Sequence, residues 1–166
     1  MLDSVRLTFR RHETSDLADC AALWGDAEVA RFIGGQPSTP EEVWQRILRY
    51  AGLWTLTGCG YWVVHEKRSG RFVGELGLAD FKRAISPSLD APEIGWALAP
   101  WAWGQGFATE AVRAALGWLE AEKGPTRTVC LISPENRASV RVAEKCGYRK
   151  WRDATYKGAA VTLFER

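Results

Sequence analysis

The residues that bear most directly on chemistry lie in one stretch, from Trp96 to Gly124. Gly104 and Gly106 precede a run in which Val112, Ala115, Leu116 and Leu119 recur at helical spacing, with Glu110, Arg113, Glu120 and Lys123 on the polar side. Gly124, followed by Pro125, marks the end of that helix. A strand, a glycine-bearing loop and a helix in this order make a place for an anion. The first helical turn offers N–H groups without intrahelical partners, and the helix dipole adds positive charge at the same end. Glycine bends the backbone sharply and lets a phosphate approach without meeting a Cβ. Pyrophosphate is the ligand this arrangement suits.

Two better-known phosphate loops do not fit. A dinucleotide-binding loop carries a third small residue three positions after its second glycine, where this chain has Thr109, and it opens a βαβ unit at its first strand. A nucleotide-triphosphate loop needs GxxxxGK followed by Ser or Thr, a string absent from this sequence.

The 166 residues, 46% of them hydrophobic, suit one domain with a sizeable core. A net charge of +2 with interspersed signs gives no footprint for nucleic acid and no claim on a membrane. No apolar run is long enough to span a bilayer, and MLDSVRLTFRR lacks the apolar core of a signal peptide. Cys20, Cys59, Cys130 and Cys146 are scattered, and only His12 and His65 could join them as soft ligands, so a reduced, cytoplasmic, metal-free protein is expected. Of nine tryptophans most are expected to pack the core, with Trp24, Trp44, Trp54, Trp101 and Trp103 as those placed to line a groove.

These residues need elements to hold them. Alternation predicts strands over Arg6–Arg10, Tyr61–Lys67, Phe72–Asp80, Glu93–Leu98, Thr128–Ile132, Tyr148–Tyr156 and Ala160–Phe164. Helices are predicted from a Thr14 or Ser15 cap to about Trp24, from a Thr39 cap with Pro40 at the first position to about Leu56, after Gly106, and over Asn136–Cys146. The order βααβββαβαββ describes an α/β chain, with a mixed sheet flanked by helices in layers.

Three strings, RFVGELGL, PEIGWALAPWAWGQGFATEAV and ENRASVRVAEKCGY, resemble in order and spacing the GNAT superfamily of acetyl-CoA-dependent N-acetyltransferases. Within it the chain is most similar to the RimJ/RimL-like branch of ribosomal-protein N-terminal acetyltransferases. The resemblance implies a single GNAT-like domain over residues 1–166, α+β in its layering, with a mostly antiparallel central sheet. It also implies acetyl-CoA as co-substrate, held by Trp103, Gly104, Gln105, Gly106, Phe107, Ala108 and Thr109, with Leu98 giving backbone hydrogen bonds to the pantetheine arm. Trp103 departs from the family's usual Arg or Gln at the start of that loop. Asn136 matches a family asparagine that contacts the cofactor, and Arg141, with Arg137 and Lys145, is placed for its 3′-phosphate.

Acyl transfer to an amine needs a free lone pair, yet an alkylamine has a pKa of about 10. A carboxylate near the amine can take that proton. Glu93, beside the cofactor loop, is the first candidate base, and Glu75 the second. The departing thiolate can take a proton from Ser139, which matches a serine of the branch, while Ala143 stands where many members have tyrosine and Tyr148 is a weaker substitute. Trp96 and Phe107 near the thioester would favour acetyl over longer acyl groups.

Asp26, Glu28, Glu41 and Glu42 could attract a cationic amine or simply complement helix dipoles. The expected partner is therefore a primary amine, on a protein N-terminus or a small molecule, with the chain a monomer or homodimer. A non-catalytic acyl-CoA-binding domain is the alternative reading.

Overall fold

Strand pairing in this chain follows the side-chain alternation. In the computed structural model, which describes residues 2–166, β1 (Leu7–Arg10) buries Leu7 and Phe9 and exposes Thr8 between them. β2 (Tyr61–Glu66), β3 (Phe72–Ala79) and β4 (Glu93–Leu98) follow, then β5 (Val129–Ile132), β6 (Arg149–Tyr156) and β7 (Ala159–Glu165). Together they form one seven-stranded sheet, ordered β1-β2-β3-β4-β5-β7-β6. All neighbours run antiparallel except β4 and β5. The residue pattern predicts this mixed sheet flanked by helices, and the family resemblance its mostly antiparallel pairing.

The helices are α1 (Leu17–Trp24), α2 (Ala27–Ala30), α3 (Pro40–Thr57), α4 (Phe107–Lys123) and α5 (Arg137–Lys145). Thr39 caps α3 as expected, its hydroxyl accepting from Glu42 N–H while the Glu42 carboxylate accepts from Thr39 N–H. Neither Thr14 nor Ser15 caps α1. They lie in a 3₁₀ turn, and Asp16 occupies the cap position. Its carboxylate instead holds Arg10, at 2.5 and 2.7 Å. The four-residue α2 is too short to leave a periodic signal, but its cap is explicit: Asp26 accepts from the N–H groups of Glu28 and Val29.

Each sheet face has its own cover. α4 lays Val112, Ala115, Leu116 and Leu119 over Leu76, Leu78, Ile94 and Leu98. On the other face, Cys20, Leu23, Trp24, Val43 and Ile47 of α1 and α3 close over Ala97. A buried side chain of this size contributes about 1.5–3 kcal/mol. Most tryptophans do serve the interior: Trp54, Trp62 and Trp118 meet edge to face with centroids 4.9–5.6 Å apart.

One polar group interrupts this apolar packing. Glu75, in β3 opposite Ala97 of β4, is fully buried. Its Oε1 accepts from His12 Nε2 at 2.6 Å and from the Cys20 thiol at 3.3 Å, and its Oε2 accepts from the Trp24 indole N–H. A buried carboxylate persists only with such donors around it. The trio ties the segment after β1, and α1, to the middle of the sheet. Glu75→Ala is expected to lower the unfolding free energy by about 3 kcal/mol, read as a lower urea midpoint with an unchanged slope. A loss below about 0.5 kcal/mol would show that the cluster holds nothing together.

Candidate functional site

The site begins with a missing strand partnership. β4 pairs with β5 at a single position, Glu93 with Val129, so its outer edge from Gly95 to Leu98 lacks a ladder partner among the described residues. Ala99 N–H bonds to Val73 O on the β3 side. Alternation therefore turns the backbone groups of Trp96 and Leu98 the other way, into the wedge between β4 and β5. The Leu98 carbonyl accepts from Trp103 Nε1 at 2.7 Å. That leaves Leu98 N–H and the Trp96 peptide groups along the open edge.

The glycine loop closes one end of the wedge. Gly104 and Gly106 sit at φ +73° and +81°, conformations that suit glycine, and Gly106 is the N-cap of α4. Phe107, Ala108 and Thr109 then present the first-turn N–H groups that have no intrahelical acceptor. Arg6 braces this turn from the other end of the chain. It bonds to Glu110 at 2.7 Å and to Gln105 O at 3.0 Å, and its guanidinium lies 4.5 Å from the Phe107 ring centroid. Burial alone would raise the Glu110 carboxyl, but bonds from Arg6 and Ser4 outweigh it and hold it below the ordinary carboxylate value. No local signal could reveal Arg6, which is 104 residues from its partner.

A groove of about 330 Å³ runs along this edge. Of the residues expected to hold the cofactor, Leu98, Trp103, Gly104, Gly106, Phe107, Ala108, Thr109, Asn136 and Arg141 line it, as does Ser139. Gln105 does not. Its side chain reaches back to Trp101 O at 2.6 Å. Asn136 caps α5 by accepting from Ser139 N–H at 3.1 Å, so capping and groove lining fall to the same side chain. Arg141 and Lys145 put two cations on the groove wall, and Arg113 secures α5 to α4 through Lys145 O at 2.7 Å. Amide donors at a helix start, backed by cations, suit a phosphate-bearing ligand.

Neither glutamate expected as a base lines the groove. Glu93, nearly buried, has both oxygens held by Arg83 at 2.5 and 2.6 Å. Arg83 also donates to the Tyr156 hydroxyl at 3.1 Å. Although burial disfavours its charge, Arg83 is raised above its ordinary value by Glu93 and Tyr156. Glu75 is enclosed by its three donors. His12, Cys20 and Glu75 form a trio with metal-ligand chemistry, their ligand atoms within 4.8 Å of one another, but here they bond to each other behind the sheet. Tyr148 is buried, pushed above its ordinary value by desolvation, and bonds to the Thr128 hydroxyl at 2.6 Å, so it packs the core. Phe107, although it borders the groove, is 1% exposed and packs in the core.

The groove is also lined by Glu28, Val29, Phe32 and Ile33, and by Trp96. Of the four acids expected near an acceptor, Asp26 and Glu42 are caps, and Glu28 alone reaches the groove. Of the tryptophans expected there, Trp103 does and Trp24, Trp44, Trp54 and Trp101 do not. Phe32 and Ile33 follow a helix of a single turn, and no periodicity marks them out.

Comparison with known proteins places this geometry. The model of the acetyltransferase (GNAT) domain matches residues 6–149. The uncharacterized protein YkkB of Bacillus subtilis is 37% identical over 109 residues, which are 66% of this chain and 62% of that protein, so less than two thirds of that relative's length is covered. A Bordetella pertussis structure assigned to the GNAT family of acetyltransferases superposes with a TM-score of 0.85 at 30% identity, covering 99% of this chain and 98% of the other. Spermidine N-acetyltransferase of Vibrio cholerae, solved with CoA and spermine, shares the fold with a TM-score of 0.76 at 19% identity over 97% of this chain and 95% of that one. Because the family match runs unbroken through the wedge, the glycine loop and the asparagine-capped helix, the chain belongs to the GNAT family of acetyltransferases.

Proposed function

We propose that this protein is an acetyl-CoA-dependent N-acetyltransferase of the RimJ/RimL-like branch, acting on a primary amine by direct attack on the thioester. The observation that carries the proposal is the set of groups lining one groove. Free helix-start amides, Arg141 and Lys145 lie on its wall, and Glu28 is the sole carboxylate there among the described residues. The amides and cations suit phosphates, and the carboxylate suits an ammonium. A protein of the same fold, the Vibrio cholerae spermidine N-acetyltransferase, was solved with CoA and spermine, which supports a CoA-type ligand for this groove.

Acetyl-CoA supplies the activated carbonyl when bound. The amides of residues 107–109 and the side chains of Arg141 and Lys145 bind the phosphates, and the open edge of β4 orients the pantetheine arm. Leu98 N–H is the donor for the carbonyl oxygen as negative charge builds there. Ser139, on the groove wall, hydrogen-bonds the departing sulfur and relays to it a proton from groove water, regaining its own. Glu93 and Glu75 have both oxygens engaged by side-chain donors, so the proton of the amine passes to water in the open groove. The Trp96 ring, on the groove wall, favours acetyl over a longer, bulkier acyl chain.

Calorimetry with acetyl-CoA, paired with thiol release over a panel of amines, tests the reading: binding with release is expected. Binding without release would favour a non-catalytic acyl-CoA-binding domain, and no binding would reject the groove. Gly106→Val, which puts a β-branched side chain at φ +81°, is expected to weaken acetyl-CoA at least about tenfold.

If water takes the proton, kcat/KM should rise with pH toward the pKa of the amine, about 10, and Glu93→Gln should keep that profile while lowering stability. A profile that levels near pH 7 in the parent and is lost in Glu93→Gln would restore Glu93 as the base.

A further inference from the structure

The acceptor end of the groove carries a chemistry of its own. We propose that the acceptor is a small arylalkylamine, one ammonium on a short chain bearing an aromatic ring, an assignment that rests on the acetyl-transfer reading. Its site is the mouth formed by Glu28, Phe32, Ile33, Trp96 and Trp103.

Charge restricts the acceptor to a single cation. Glu28 is the one carboxylate on the groove wall among the described residues, and its own ion pair is loose, 3.9 Å from Arg31 with both side chains largely exposed. One carboxylate complements one cation. Polyamines and aminoglycosides bring several ammonium groups, and the other charges here are the cations Arg31, 3.9 Å from Glu28, and Arg141 and Lys145 on the groove wall, which repel them.

Apolar surface favours a ring on that cation. Ile33 is 38% exposed and Trp103 46% exposed, two of the five large hydrophobic side chains with that much surface among the described residues, and both face this one groove. Phe32 and Trp96 add two further rings. Aromatic walls favour a flat partner, and an ammonium gains from ring faces as well.

Hydrogen-bond supply disfavours a peptide. A peptide acceptor would need backbone partners, but the N–H groups of Glu28 and Val29 are bound to Asp26, that of Ile33 to Ala30 O, and the open peptide groups of Trp96 belong to the edge that orients the pantetheine arm. The mouth offers rings and one carboxylate, which suits an amine with no amide to satisfy.

The test uses the full chain with acetyl-CoA and four acceptors: 2-phenylethylamine, ethylamine, spermidine and an alanine-starting peptide. 2-Phenylethylamine is expected to show kcat/KM at least about tenfold above each of the others. Glu28→Gln should raise its KM about threefold and leave acetyl-CoA affinity unchanged. Phe32→Ala should narrow the gap between 2-phenylethylamine and ethylamine. Preference for spermidine or the peptide, equal use of ethylamine, or acetyl-CoA binding with no amine acetylated would overturn this inference and leave the cofactor groove standing. Absence of acetyl-CoA binding would overturn the acetyl-transfer reading along with it.

Discussion

A strand in the middle of a sheet ordinarily has both edges paired, and β4 does not. The wedge that makes the groove exists because β4 and β5 meet only at Glu93 and Val129. Such an edge must stay straight without a neighbour, so it is held from every other direction. Arg83 clamps Glu93 at the closed end and reaches across to Tyr156 of β6. β3 pairs with the whole length of β4, and at Gly74 its backbone comes so close that an added Cβ would lie 2.2 Å from Ala97 O. Behind Ala97 stands the donor cage of Glu75.

This accounts for where the two glutamates are found. Sequence reasoning places Glu93 and Glu75 correctly on neighbouring strands near the loop, and chemistry makes any carboxylate there a base. A side-chain list cannot show that their partners, Arg83, His12, Cys20 and Trp24, already surround them. Both sit where the unpaired edge needs bracing, and their oxygens are taken for that purpose. The glycine loop was legible because its evidence is local: two glycines, a following amphipathic helix and an asparagine at the next helix start. The strands were legible through alternation. The acceptor mouth was not, since α2 is one turn long and Phe32 and Ile33 sit in irregular chain where no period exists. Arg6 was hidden by distance in sequence alone.

The groove also shows economy of another kind, in which one residue serves the fold and the ligand site together. Asn136 caps α5 and lines the groove. Trp103 stands at the mouth while its indole N–H satisfies Leu98 O on the open edge. Where the family loop usually begins with a longer polar side chain, this chain has a ring that closes one hydrogen-bonding position of β4 and leaves the Leu98 N–H beside it open.

The donor cage of Glu75 also sets an order of events during synthesis. His12, Cys20 and Trp24 leave the ribosome 51 to 63 residues before their common acceptor does. Until β3 emerges, α1 has no carboxylate to fasten to, and contacts that span so much chain form slowly because loop closure precedes them. The amino-terminal quarter of the protein therefore has to wait, its thiol and indole uncovered, for the centre of the sheet to arrive.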